Sequence, residues 1–283
     1  MKRKTRVLVN GLPGKMAWQI ALEIINSDDL ELIPFGLTGP EITIKSIVCD
    51  GMTIKLFHFS ERAKLIEVLH GKQPDIVVDF TAPVAVKDNF DFYLENHWPF
   101  VLGTTFGEFD GLDDYIKRLM KGNSLNAVIA SNMAKEVVAM MAMIEYAATN
   151  FPDAFKGCSL KIVESHQGTK KDPSGTAISL IKFFNKLGLP FVKEEIKKMR
   201  TEEEHDIFGV PVDHRGRHGW HTYSIEKQDG SVFLEFKHNV NGGQAYISGV
   251  MDAIRFLAKV EEVGGAFGEA FSMVDVLRGT SLF

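Results

Sequence analysis

Along the first half of the chain, short apolar runs alternate with longer amphipathic ones. "RVLVNG" predicts a strand, and "KMAWQIALEIIN", with apolar residues three and four apart, predicts the helix that follows it. "LELIPFGLTG" predicts a second strand, "ERAKLIEVLHG" a helix and "DIVVDFTAP" a buried strand. "VAVKDNFDFYLENH", "PFVLGTT", "FDGLDDYIKRLMKG" and "NAVIASN" repeat the helix–strand alternation twice more. Such a series builds βαβ units and a parallel, doubly wound sheet, whose ligand lies beyond the carboxyl ends of the strands.

After Asn132 the pattern changes. A long helical segment, "AKEVVAMMAMIEYAATNF", leads to strand-like stretches, "SLKIVESH", "GWHTYSIEKQ" and "SVFLEFKHNV", that suit a more open mixed sheet. "YISGVMDAIRFLAKV" and "FSMVDVL" are helical again and return to the first domain. The expected fold is α/β: a Rossmann-type doubly wound parallel sheet plus a second α+β domain with an open mixed sheet. The expected boundaries are 1–131 with 249–283 for the first domain, and 132–248 for the second.

The 283 residues are 45% hydrophobic and 24% charged, ordinary for a globular protein with room for two cores. A formal net charge of −5 argues against wholesale nucleic-acid binding. Cys49 and Cys158, the only cysteines, make neither a disulfide framework nor a cysteine-based zinc site. No apolar run reaches the roughly 18 residues that span a membrane, and the basic start runs straight into a strand, unlike a signal peptide. The expected location is cytoplasmic, or the plastid stroma if a transit peptide has been removed.

Candidate chemistry begins at the first turn, "VNGLPGKMA". Gly11 and Gly14 permit a tight turn and close backbone approach to a pyrophosphate, Pro13 is tolerated where a first-turn N–H is unbonded, and Lys15 and Met16 open the helix. The spacing is not G-x-G-x-x-G, and any strand–turn–helix with glycines would look similar. Other strand ends add to it: Asp79, Phe80 and Thr81; Gly103, Thr104 and Thr105; Ser131 and Asn132. Each could simply cap a helix; together they describe a polar crevice. Thr38 stands where an acid would grip a ribose 2′-hydroxyl, and Lys15 could pair with a 2′-phosphate, so NADPH is the preferred cofactor and NADH the alternative.

The stretch "VESHQGTKKDPSGTA" carries more than a turn needs. His166 has an ordinary pKa of about 6.5, suited to proton transfer near neutrality. Lys170 is a charged group four residues on. Gly175 and Thr176 open a helix whose N–H groups and dipole attract a carboxylate. A lone strand-end histidine is more often structural, Lys171 reads as a solvated charge, and Asp172 as the cap of the helix.

On "NGLPGKM", "DFTAP", "GTT", "ASNMA" and above all "ESHQGTKKDPSGTA", in that order over nearly the whole chain, the sequence resembles the 4-hydroxy-tetrahydrodipicolinate (dihydrodipicolinate) reductases of lysine biosynthesis. The short "SHQGTK" loop is similar to the plant-type branch. The resemblance implies NAD(P)H-dependent reduction of a cyclic dicarboxylate by the diaminopimelate route, with His166 and Lys170 catalytic, Gly175, Thr176 and Thr105 on the substrate, and a homo-oligomer, dimer or tetramer, formed through the second domain. Gln167 replaces the second imidazole of the paired-histidine branch, and Ala17 a glycine common in the nucleotide turn, so those two roles are not carried over. Two other readings stay open: another Rossmann-type dehydrogenase acting on an amino or keto acid, and a non-catalytic NADPH-binding protein. No metal is expected, because Gly216 and Gly219 oppose a helix that would align His214, His218 and His221. The Met-rich "VVAMMAMIEY" reads as core or subunit contact. Closure of the two domains about a bound substrate is expected.

Overall fold

The computed structural model describes residues 3–104, 112–264 and 268–279. The chain divides into two compact units, one of residues 1–133 and 246–283, the other of residues 134–245.

The first unit opens with β1 (Thr5–Asn10), α1 (Lys15–Ile25), β2 (Leu30–Leu32) and β3 (Phe35–Leu37). β4 (Ser46–Cys49), β5 (Met52–Phe57), α2 (Arg62–Leu69), β6 (Ile76–Asp79) and α3 (Pro83–Glu95) follow. β7 (Phe100–Leu102), α4 (Leu112–Asn123) and β8 (Ala127–Ile129) continue the alternation. The second unit holds α5 (Lys135–Asn150), β9 (Cys158–His166), α6 (Gly175–Lys186), β10 (Lys197–Met199), α7 (Glu202–Phe208), β11 (His218–Lys227) and β12 (Phe233–Asn241). α8 (Gln244–Val263) leads back to β13 (Ala270–Phe271) and α9 (Met273–Gly279).

The large sheet runs β13-β8-β7-β6-β1-β2 and is parallel throughout. Its strands are covered on both faces, which explains their continuous apolar character: Val7, Leu8, Val9, Ile76, Val77, Val78, Phe100 and Val101 are fully buried. The chain runs outward from β1 to β2 and then crosses to β6 on the other side. The β1–β6 boundary is therefore the switch point at which such sheets bind ligands.

The expected single strand "LELIPFGLTG" is two strands. Pro34 has no N–H to donate, and after it the chain leaves the large sheet: β2 pairs with β1, β3 with β5. β3, β5 and β4 form a three-stranded sheet of their own. Its β4–β5 hairpin turns on Asp50 and Gly51, both at positive φ (46° and 77°).

In the second unit the sheet runs β10-β9-β11-β12, with β10 parallel to β9 and the other pairs antiparallel. This is the open mixed sheet expected of the second domain. α6 buries Ala177, Leu180, Ile181, Phe183 and Phe184 on one face, and Phe184 packs on Tyr223 of β11, ring centroids 5.6 Å apart.

Candidate functional site

In the first unit, Asn10 and Asp79 are paired in register at the carboxyl ends of β1 and β6. Gly11 lies at φ 100°, and a Cβ there would come within 2.5 Å of the Phe80 carbonyl oxygen, so only glycine fits. Pro13 follows a cis peptide bond. A Cβ on Gly14 would meet the Gly11 carbonyl oxygen at 2.7 Å, and one on Gly103 would strike the Phe80 ring at 2.1 Å. Phe80 thus fills the space above two strand ends. Gly14 is the N-cap of α1 and no side chain caps that helix. Lys15 is exposed and Met16 half-buried. A bare-backbone cradle ending in an uncapped helix suits a phosphate group, and the residues present fit a dinucleotide.

Beneath the cradle lies a buried polar network. Asp79 accepts from the Tyr93 hydroxyl at 2.6 Å, from Asn89 at 3.0 Å and from the Thr81 hydroxyl and N–H at 2.6 and 2.7 Å. Asn10 donates to the Tyr93 oxygen at 2.7 Å and accepts from the Leu37 N–H at 2.8 Å. Burial, reinforced by the Asp79 charge, raises the Tyr93 pKa well above its ordinary value, so this phenol stays protonated. The Asp79 and Thr81 side chains are thus engaged in holding the strand ends. Thr38 is fully buried too, its N–H on the Phe57 carbonyl at 2.8 Å and its hydroxyl without a partner among the described residues. Thr104 donates to the Thr81 carbonyl at 2.9 Å, Ser131 is exposed and Asn132 nearly buried. Thr105 lies outside the described residues.

A cleft of about 930 Å³ lies at the opposite, amino-terminal edge of the same sheet, lined by Thr5, Asp75, Ile76 and Pro99 among others. Its arginines are spent on acids, Arg3 on Asp75 and Arg255 on Asp29, both at 2.8 Å.

In the second unit, β9 ends at His166 and the polar turn runs to α6. One ion pair frames it. The fully buried Glu164 carboxylate accepts from the Arg200 guanidinium and, at 2.9 Å, from the Ser174 N–H. Arg200 also donates to the Lys170 carbonyl at 2.7 Å and to the Met199 and Glu164 carbonyls at 3.0 and 3.2 Å. Both ends of the turn thus hang on Arg200 and Glu164. Arg200 is itself held beside a capping box: its N–H and that of Thr201 donate to Glu204, at 2.7 and 3.0 Å, and Thr201 accepts from the Glu204 N–H. Ser174, not Asp172, caps α6, accepting from the Thr176 N–H at 3.3 Å. Asp172 is exposed, with Pro173 between it and the cap. Gly175 is exposed at the helix start and Thr176 buried. The Lys170 ammonium, half-buried, makes no hydrogen bond or ion pair among the described residues.

His166 has both ring nitrogens engaged, Nδ1 with the His218 carbonyl at 2.9 Å and Nε2 with His221 Nε2 at 3.0 Å. Burial first, then the charges of Arg200 and Lys170, push its pKa down to about 3. It is a neutral imidazole at physiological pH. His221, packed on His238 with ring centroids 4.5 Å apart, is driven well below its ordinary value by burial and then by His238. β11 starts at His218, one residue before the expected strand. The group within reach of one ion is Glu164, His166 and His221, whose donor atoms lie within 4.8 Å of one another. Those donors are engaged with Arg200, Ser174 and each other.

A doubly wound parallel sheet with a glycine cradle at its switch point, joined to a mixed-sheet unit bearing a framed cationic turn, places the chain among the Rossmann-type nucleotide-dependent oxidoreductases. The family model described as "Dihydrodipicolinate reductase, N-terminus" matches residues 5–133, and that described as "Dihydrodipicolinate reductase, C-terminus" matches residues 136–277. The chain belongs to the dihydrodipicolinate reductase family. Over 280 residues it is 38% identical to a probable 4-hydroxy-tetrahydrodipicolinate reductase 1, chloroplastic, of Oryza sativa subsp. japonica, covering 98% of this chain and 80% of the relative. It is 37% identical over 281 residues to the chloroplastic reductase 1 of Arabidopsis thaliana, covering 96% and 77%. These relatives agree with the plant-type resemblance of the short loop. Among solved structures it is similar in fold to the dipicolinate-bound dihydrodipicolinate reductase from Paenisporosarcina sp. TG-14, with a TM-score of 0.63, 22% identity and coverage of 95% and 98%. No helix among the described residues is long and apolar enough to cross a membrane.

Proposed function

We propose that this chain reduces 4-hydroxy-tetrahydrodipicolinate to tetrahydrodipicolinate with NAD(P)H, in the diaminopimelate route to lysine. The observation that carries the reading is the turn between β9 and α6. It carries an ammonium, Lys170, with no hydrogen bond or ion pair among the described residues, in the loop that leads into α6, and Glu164 and Arg200 fix both its ends. A dianionic ring finds a cation there together with the start of α6 at Gly175 and Thr176, whose dipole favours a carboxylate. The Gly11–Met16 cradle, with Gly103 and Thr104 on the neighbouring strand end, holds the dinucleotide in the first unit. Ser131 and Asn132 stand at a third strand end, and Thr105 remains assigned to the substrate.

When bound, NAD(P)H supplies the hydride. The net reaction adds hydride at the ring carbon that loses its hydroxyl, consumes one proton and releases water, so a protein group must deliver a proton. Lys170 is the better-supported source. Its ammonium is unengaged, whereas His166 is neutral and both its nitrogens are occupied. NADPH is preferred over NADH in this reading, because Thr38 contributes no carboxylate to repel a 2′-phosphate and Lys15 is exposed at the helix start to meet one. The chain acts as a homo-oligomer, dimer or tetramer, in the cytoplasm or plastid stroma.

The test is a coupled assay: the condensation product of pyruvate and aspartate semialdehyde is supplied and NADPH absorbance followed. Stoichiometric loss of NADPH is expected. A stable signal with that substrate, and loss with a keto acid, with or without ammonia, instead, would replace this reading with a general dehydrogenase.

A further inference from the structure

His166, His221 and Tyr223 form one hydrogen-bonded line across β9 and β11, and its direction can be deduced. A carbonyl oxygen only accepts, so His166 Nδ1, 2.9 Å from the His218 carbonyl, carries the proton. In the neutral ring, Nε2 is then the acceptor. His221 Nε2, 3.0 Å away, must therefore be its donor. That leaves His221 Nδ1 as an acceptor, and the Tyr223 hydroxyl at 2.9 Å donates to it. Every nitrogen in the line has one role.

Nothing nearby reverses the order. Burial, with Glu164 second, raises the Tyr223 phenol far above its ordinary value, so its O–H remains a donor. His238 packs on His221 but bonds to neither neighbour, both its nitrogens lacking a partner among the described residues. His218 is committed elsewhere: Nδ1 donates to the Arg215 carbonyl at 3.1 Å, so Nε2 accepts from Ser165 at 2.8 Å. His205 holds the His166 backbone, its Nε2 donating to that carbonyl at 3.1 Å.

We infer that His221 and Tyr223 are positioning residues of the reductase site, acting through His166: while the His218 carbonyl fixes it as the Nδ1–H tautomer, they occupy its Nε2 lone pair and set the ring's orientation, which leaves proton delivery to Lys170. The inference rests on the reading of the 166–176 turn given above. Partners that fix the tautomer and orientation of a site imidazole strongly affect turnover without touching substrate.

Nitrogen-15 histidine spectra of the whole protein report tautomers directly. His166 is expected as the Nδ1–H form and His221 as the Nε2–H form. Tyr223→Phe keeps the ring but removes the donor to His221 Nδ1; His166 should stay Nδ1–H on the His218 carbonyl while the His221 signal loses its single-tautomer pattern, with turnover down roughly tenfold and the KM for NADPH unchanged. His221→Gln preserves the order, since its amide NH₂ donates to His166 while its carbonyl accepts from Tyr223. It should stay within about threefold of the parent, whereas His221→Leu should lose on the order of a hundredfold. An Nε2–H signal for His166 in the parent protein would overturn the inference. So would normal turnover in Tyr223→Phe and His221→Leu, or a Gln variant as slow as the Leu one. If Lys170→Ala is inactive while His221→Leu is normal, only this inference falls; if Lys170→Ala is fully active, the reading of the turn falls with it.

Discussion

The Arg200 side chain decides the shape of the polar turn. It is 14% exposed, and its partner Glu164 is fully buried. Removing one member of such a pair leaves a buried charge unsatisfied, which costs about 3–5 kcal/mol. Arg200→Met should therefore lower the urea midpoint by that equivalent, and adding Glu164→Gln should restore part of it by removing the stranded charge. A loss below about 1 kcal/mol in the single variant would mean that the pair does not frame the turn. The sequence offers His166 and Lys170 as candidates because they stand where a bare loop needs no such groups. Arg200 is not offered: it lies 30 residues beyond Lys170, and only the parallel pairing of β10 beside β9 brings it there. Thr38 and Asp79 were legible as polar strand ends, but burial is not written in residue type. In the structure Asp79 serves its own scaffold, and the Thr38 hydroxyl faces no partner among the described residues.

Strands and helices followed their patterns wherever a run was long and one-sided. β1, β6 and β7 are unbroken apolar runs because helices cover both faces of a parallel sheet. The misread element was "LELIPFGLTG", whose apolar pattern continues through Pro34 while the hydrogen bonding does not. The β4–β5 hairpin had a signal that went unread, Asp50-Gly51 between two short strands, the dipeptide that tolerates two positive φ values. Histidine clustering on β9, β11 and β12 belongs to this scale as well, since it depends on strand register: His221 faces Glu164 on one side and His238 on the other. That cluster sets a pH dependence. His166 falls to about 3 and His238 to about 4, from an ordinary 6.5, and His218 and His221 are lowered too. Between those folded values and 6.5 the unfolded chain binds protons that the folded one refuses, so stability rises with pH through that window and is lost on acidification. The urea midpoint should fall steadily from about pH 6.5 toward pH 4, and His238→Phe should flatten the slope. A midpoint independent of pH over that range would contradict the burial of these imidazoles in neutral form.

The molecule divides its labour between two compact units. The glycine cradle belongs to residues 1–133 and 246–283, the framed turn to residues 134–245. In the sequence, regular βα alternation gives way to long polar-faced strands after Asn132. Thr105 is named for the substrate on resemblance alone and lies outside the described residues. The division makes a specific demand: a substitution in the turn should harm the reaction and spare cofactor binding. The most direct measurement is therefore paired kinetics and NADPH titration on His166→Ala and Lys170→Ala. Turnover should drop by at least about a hundredfold in Lys170→Ala, and measurably in His166→Ala, with the NADPH dissociation constant within about twofold of the parent in both. Normal turnover in both variants, or a loss of NADPH affinity that accounts for the whole effect, would contradict the account.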